Sequence, residues 1–202
     1  MSSQLLSAPN QITLLRLIFV PFIVIMLTDG NYGWALILFV VAGISDGLDG
    51  LLARKLNQRT VLGQYLDPIA DKLLLSTLFL VLSIMHKIPW KFTVLVFSRD
   101  FIILITCAVL FAATTYRDFR PSIFGKLNTA CQVTGLFFVL LNSYTAGPGS
   151  EISRHAWIHV TMHSLLWATF GLTILSGVHY VLLTGYKMRA REAGASNGEN
   201  AA

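Results

Sequence analysis

The chain has 202 residues, 54% of them hydrophobic and only 12% charged, with a net charge of +5. A soluble domain of this length carries about twice that charged fraction, and the mean hydropathy of +0.65 points the same way. Apolar runs of membrane-spanning length recur from residue 11 to residue 186. They exclude a soluble globular domain and predict an all-α integral membrane protein built as one six-helix bundle. The basic balance needs no nucleic-acid partner, because loops facing an anionic leaflet account for it.

In chain order, a short polar start leads through Pro9-Asn10, a natural helix opening, into a first span over Ile12 to Thr28. Arg16 lies about one turn inside that span, close enough to snorkel to the interface. Asp29-Gly30-Asn31 makes a turn, and a second span runs from Trp34 to Arg54. Lys55 to Leu62 is a polar loop. The third span covers Gly63 to Met85, His86-Lys87-Ile88-Pro89 turns the chain, and the fourth covers Trp90 to Ala113. A polar loop over 114–125 precedes the fifth span, Lys126 to Ala146. Gly147-Pro148-Gly149-Ser150 leads to the sixth, Trp157 to Tyr186. Residues 1–186 thus form a single membrane domain, and the polar segment 187–202 is expected to be a disordered cytoplasmic tail.

Six spans put both termini on one side. That side holds Arg54, Lys55, Arg59, Arg117, Arg120, Lys126, Lys187, Arg189 and Arg191, against Lys87, Lys91 and Arg154 on the other. The positive-inside rule makes the first side cytoplasmic. No Arg- and Ser-rich presequence or cleavable signal precedes the first span, which fits a multi-pass protein of a bacterial inner membrane.

The stretch from Asp46 to Asp71, DGLDGLLARKLNQRTVLGQYLDPIAD, is the energetic anomaly. A carboxylate in the hydrocarbon costs about 2.5–3.5 kcal/mol, so four left unpaired cost on the order of 10 kcal/mol. On a helix, Asp46, Asp49, Gly50 and Ala53 share one face, and Asp67 and Asp71, four apart, share another. Pro68 fits a first-turn position or a mild kink. A loop of about eight residues makes the two helices antiparallel neighbours, so both aspartate pairs converge near the cytoplasmic boundary.

Converging carboxylates repel unless cations are supplied, and the nearby cations of the chain, Arg54 and Lys72, are too few. Oxygen-only ligands favour Mg²⁺, Mn²⁺ or Ca²⁺ over zinc. Two such ions about 3.5–4 Å apart clamp both ends of a phosphoryl displacement. Gly50 and Gly63 leave room for a bulky ligand, and the planar fork of Arg54 suits a phosphate. The chemistry implied is metal-assisted phosphoryl transfer at a membrane surface. An ion-coupled transporter would also carry intramembrane acids, but would spread them along a path.

The spacing D-x2-D-G-x2-A-R-x8-G-x3-D-x3-D, met by Asp46, Asp49, Gly50, Ala53, Arg54, Gly63, Asp67 and Asp71, resembles the signature of the CDP-alcohol phosphotransferases. The resemblance implies transfer of a phosphatidyl group from CDP-diacylglycerol to an alcohol, with release of CMP. Carried over by position, Asp46, Asp49, Asp67 and Asp71 would hold one or two divalent ions, Mg²⁺ or Mn²⁺. Asp71 would also act as general base, and Gly50, Ala53, Arg54 and Gly63 would contact the cytidine diphosphate. It also implies a homodimer.

The acceptor alcohol is less determined. Arg99, deep in the fourth span, either pairs with Asp100 or holds an acceptor phosphate; Arg117, Arg120 and Lys126 are either positive-inside residues or part of the same pocket. The opening Pro9 to Arg16 resembles that of family members acting on glycerol-3-phosphate and of those that form cardiolipin. Asp100 and Asn128 lean toward the second group, whose acceptor is phosphatidylglycerol. Glycerol-3-phosphate is placed slightly ahead.

Other features carry less chemistry. His155, His159 and His163 recur every four residues but lie far from the aspartates with no acidic or thiol partner, so they are read as interfacial. Cys107 and Cys131 have no metal-ligand spacing. Trp34, Trp90 and Trp157 form an aromatic belt at the outer boundary, and Trp167 is expected to pack more deeply.

Overall fold

The computed structural model describes the backbone of residues 8–56, 61–113, 123–146 and 155–199, and side chains within 15–45, 72–102, 123, 125–146 and 155–178. Within these residues the chain forms six helices: α1 (Ala8–Thr28), α2 (Tyr32–Leu56), α3 (Val61–Ile84), α4 (Trp90–Ala113), α5 (Ile123–Thr145) and α6 (Ala156–Glu199). All six coincide with the expected spans to within a few residues, save at the end of α6. That helix runs on through the segment expected to be disordered. The stretch Lys187-Met188-Arg189-Ala190-Arg191-Glu192-Ala193 consists of strong helix formers with no proline, so the backbone continues where hydrophobicity stops.

Two tight turns show how local chemistry ends these helices. After α1, Gly30 at φ 74° gives its N–H to Leu27 O (3.0 Å), and Asn31 N–H reaches Met26 O at 2.8 Å. After α3 the same overlapping pair recurs: His86 N–H to Ser83 O (3.0 Å) and Lys87 N–H to Leu82 O (2.8 Å). Both caps need a left-handed residue. Gly30 supplies it freely, whereas His86, at φ 59°, does so as the non-glycine exception among the described residues.

The helices form one unit. α1 packs on α2 and α3, α5 on α6, α2 and α3, and α4 on α6 and α3. The described core joins Ile23 and Leu27 of α1, Phe39 of α2, Leu78, Phe79 and Leu82 of α3, Leu136 and Leu140 of α5, and Met162 and Leu166 of α6. These residues lie toward the ends of α2 and α3 remote from the aspartates. The packed end is therefore apolar, and the acidic stretch sits at the other.

The outer surface is apolar too. Phe22, Ile44, Ile84, Phe101, Val133 and Leu175, one from each helix, are all exposed. Water does not favour such a surface, and hydrocarbon does. Among the described residues, Ala156–Val178 of α6 is long and apolar enough to cross a membrane by itself, and Leu15–Thr28, Tyr32–Ser45 and Lys72–Ile84 are shorter apolar stretches. Trp34, Trp90 and Trp157 are exposed, as a belt requires, but so is Trp167, which the sequence placed deeper. Its ring lies edge-on to Phe92 at 5.6 Å, with the Lys91 ammonium 4.4 Å from its centroid. This cation–π contact lets the indole stay at the surface.

Candidate active site

The aspartate stretch divides between two helices of the bundle. Asp46, Asp49, Gly50, Ala53 and Arg54 occupy the last third of α2, and Gly63, Asp67 and Asp71 the first half of α3. Helical backbone at both places preserves the shared-face spacing within each pair. The side chains from Asp46 to Asp71, and with them the convergence of the two pairs, lie outside the described residues, as do Arg117 and Arg120. α1 and α5 each pack on both helices and so hold the two halves of the stretch in one unit. Pro68 is not in the first turn: α3 begins at Val61, about two turns earlier. Its missing N–H leaves the Gln64 carbonyl without its usual helical partner.

Starting at the residue directly after Asp71, the structure shows an ionic cluster. Lys72 Nζ on α3 lies 2.9 Å from Asp100 Oδ1 on α4, and Arg99 NH1 donates to the same oxygen at 2.6 Å. Arg99 and Asp100 are mostly buried, with side chains 10% and 19% exposed, while Lys72 is 44% exposed. The sequence left Arg99 with two readings, and the geometry places its guanidinium on Asp100. That bond uses one edge of the fork, and the buried Arg99 Nε has no hydrogen-bond partner. Donor capacity remains for an oxyanion.

Lys72 changes the electrostatics of the acidic stretch. The sequence counted it as a counter-ion for the aspartates, but its ammonium is turned to Asp100. The four acids of that stretch make an all-carboxylate donor set, which by its chemistry fits a hard divalent ion.

Arg16 departs most from expectation. It does not snorkel but is 1% exposed, among the most buried large side chains of the described residues. It lines a cavity of about 410 Å³ with Ala42, Gly43 and Ile44 of α2, Leu74 of α3, and Thr129 and Val133 of α5. The cavity begins two residues before Asp46 and three after Asp71. The sequence reading did not foresee a buried guanidinium beside that stretch. Its signal was available: Arg16 is flanked on both sides by apolar residues, with the interface already a turn away.

The segment expected to read the acceptor splits. Lys126 is exposed at the start of α5, but Asn128 is fully buried and accepts a hydrogen bond from Thr173 Oγ1 of α6 at 3.1 Å. Asn128 thus joins helices. The histidines gather no metal set: His159 and His163 stack at 4.5 Å between ring centroids, and no group of three or more ligating side chains is found among the described residues. Cys131 is a free, half-buried thiol, and Cys107 lies outside the described side chains.

Fold and sequence together define an all-helical protein with an apolar outer surface and an acidic stretch divided between two helices of one bundle. The chain belongs to the CDP-alcohol phosphatidyltransferase family, whose model matches residues 6–176. It is 35% identical over 183 residues to a probable phosphatidylglycerophosphate synthase of Mycobacterium tuberculosis, covering 85% of this chain and 78% of that one. It is 30% identical over 187 residues to the CDP-diacylglycerol–glycerol-3-phosphate 3-phosphatidyltransferase of Bacillus subtilis, covering 85% and 92%. It is 34% identical over 131 residues to the human CMP-forming cardiolipin synthase, covering 62% and 41%. Membership makes the chain a transferase of phospholipid biosynthesis and removes the transporter reading.

Proposed function

We propose that this enzyme transfers the phosphatidyl group of CDP-diacylglycerol to glycerol-3-phosphate, releasing CMP, at the cytoplasmic face of a bacterial inner membrane. The observation that carries the acceptor is the extent of similarity. Relatives named for glycerol-3-phosphate or phosphatidylglycerophosphate align over 85% of the chain, against 62% for the human cardiolipin synthase. The cationic group at Arg99 and Lys72 supports an acceptor bearing its own phosphate. Phosphatidylglycerol, giving cardiolipin, is the second reading, favoured by the neutral Asn128 and by Asp100.

In this reading Asp46, Asp49, Asp67 and Asp71 would hold one or two Mg²⁺ or Mn²⁺ ions, which would supply Lewis-acid stabilisation of the phosphoryl charge when bound. Gly50, Ala53, Arg54 and Gly63 receive the cytidine diphosphate. The acceptor hydroxyl attacks the phosphatidyl phosphorus, its proton passes to the Asp71 carboxylate, and the P–O bond to CMP breaks. Arg99, with Arg117, Arg120 and Lys126, holds the acceptor phosphate. The apolar cavity beside Arg16 lies where a lipid chain enters. Six spans, both termini cytoplasmic, and a homodimer complete the proposal.

The test is turnover by the purified full chain in mild detergent, with CDP-diacylglycerol and each acceptor in turn, following CMP and the lipid product. Phosphatidylglycerophosphate formed only with divalent metal is the expected result. Cardiolipin from phosphatidylglycerol, with none of the glycerophosphate product, overturns the acceptor; full activity after exhaustive chelation overturns the metal site. Cross-linking that yields monomer alone removes the dimer.

A further inference from the structure

We propose that α5 and α6 hold an ordered water molecule between them, bound by Asn128, Gln132 and Thr169. The two helices meet along polar as well as apolar side chains. Asn128 and Gln132 of α5, with Thr169, Thr173 and Ser176 of α6, are buried, none of them more than 3% exposed. Asn128 and Gln132 stand four residues apart, as do Thr169 and Thr173, so each pair shares a face of its helix.

Two contacts fix how those faces meet. Thr173 Oγ1 donates to Asn128 Oδ1 at 3.1 Å. Further along, Leu165 Cβ lies 3.9 Å from the point where a side chain on Gly135 would begin. The α5 numbers rise as the α6 numbers fall, so the helices run antiparallel. Gln132 and Thr169 fall between the two contacts, each about 6 Å along its helix axis from the Asn128–Thr173 bond. Leu136 and Leu166, both buried, close the seam on the next turn.

Three polar atoms in this short interval have no hydrogen-bond partner among the described residues: Asn128 Nδ2, Gln132 Nε2 and Thr169 Oγ1. Turning the Asn128 amide over would bond its nitrogen to Thr173 and leave its oxygen instead, so the demand stays. Apolar surroundings make such groups costly to leave unpaired. An ion would bring an uncompensated charge into the seam, whereas water is neutral, small, and both donor and acceptor. Its oxygen takes N–H groups from Asn128 and Gln132, and one of its hydrogens goes to Thr169 Oγ1. About three bonds are the usual complement of a buried water. Thr129 and Val133, next in sequence to the two amides, line the cavity beside Arg16. The hydrated seam therefore also fixes the face that α5 turns to that cavity.

The probe is water itself. Hydroxyl radicals made in place by a brief X-ray pulse oxidise side chains that adjoin a bound water, even where bulk solvent does not reach. In the full chain in mild detergent, Leu136 and Leu166 are expected to oxidise several-fold faster than Leu27 and Leu78, which are as deeply buried in the apolar core. Gln132→Leu combined with Thr169→Val removes two of the three partners and is expected to abolish that excess, with circular dichroism confirming helix content. Leu136 and Leu166 oxidising no faster than Leu27 and Leu78 overturns the proposal, and this wild-type measurement decides it whether or not the variant folds. An excess that persists in the folded variant also overturns it. So does an excess over the control leucines that saturating glycerol-3-phosphate abolishes, which would make the occupant a substrate hydroxyl.

Discussion

Lys72 and Asp100 meet 2.9 Å apart across α3 and α4, immediately beyond the last aspartate of the acidic stretch. The contact gathers two cations on one carboxylate, so the cluster of Lys72, Arg99 and Asp100 carries a net positive charge.

Asp71→Asn is expected to lower kcat by about a thousandfold or more in folded protein, because an amide cannot take the acceptor proton and is a poorer metal ligand. Turnover near the wild-type rate in purified protein would remove Asp71 as base.

Arg99→Met is expected to raise the KM for glycerol-3-phosphate about tenfold or more while leaving the KM for CDP-diacylglycerol within about twofold, since a phosphate contact is worth about 1.5–3 kcal/mol. Arg99→Lys should recover only part of the loss, because an ammonium cannot bridge Asp100 and a phosphate as the planar fork does. Equal changes in both KM values would assign Arg99 to helix packing.

Asn128 and Thr173 tie α5 to α6 at 3.1 Å. Asn128→Leu and Thr173→Val are each expected to lower thermal stability, and the double variant to lose less than their sum, with a coupling of about 0.6–1 kcal/mol. Additive losses would show that the hydrogen bond contributes nothing in the folded state.

His86→Gly is expected to be neutral or slightly stabilising and His86→Val to lower the melting temperature. The position is held at φ 59°, which costs a side-chain-bearing residue about 1 kcal/mol and a β-branched one more. A valine variant as stable as wild type would mean that the cap relaxes.

Composition and periodicity determined the helical class, the approximate span of each helix and the place of the acidic stretch at the ends of two of them. Those features follow from hydropathy, from spacing at three and four residues and from turn chemistry such as that at Gly30, all of which are local. The chain spacing from Asp46 to Asp71 was enough to resemble the family to which the chain belongs.

Tertiary structure decided what each charge faces. Arg16 was expected at the interface and is buried against α2, α3 and α5, because helix crossing rather than distance from the chain end sets its depth. Asn128, taken from the sequence as leaning toward one acceptor group, is bonded to Thr173 of another helix. Lys72, next to Asp71 in the chain, is drawn by an acid on another helix. A side chain has several partners within its reach along the chain, and only the packing of the helices fixes which one is nearest in space and least costly to desolvate.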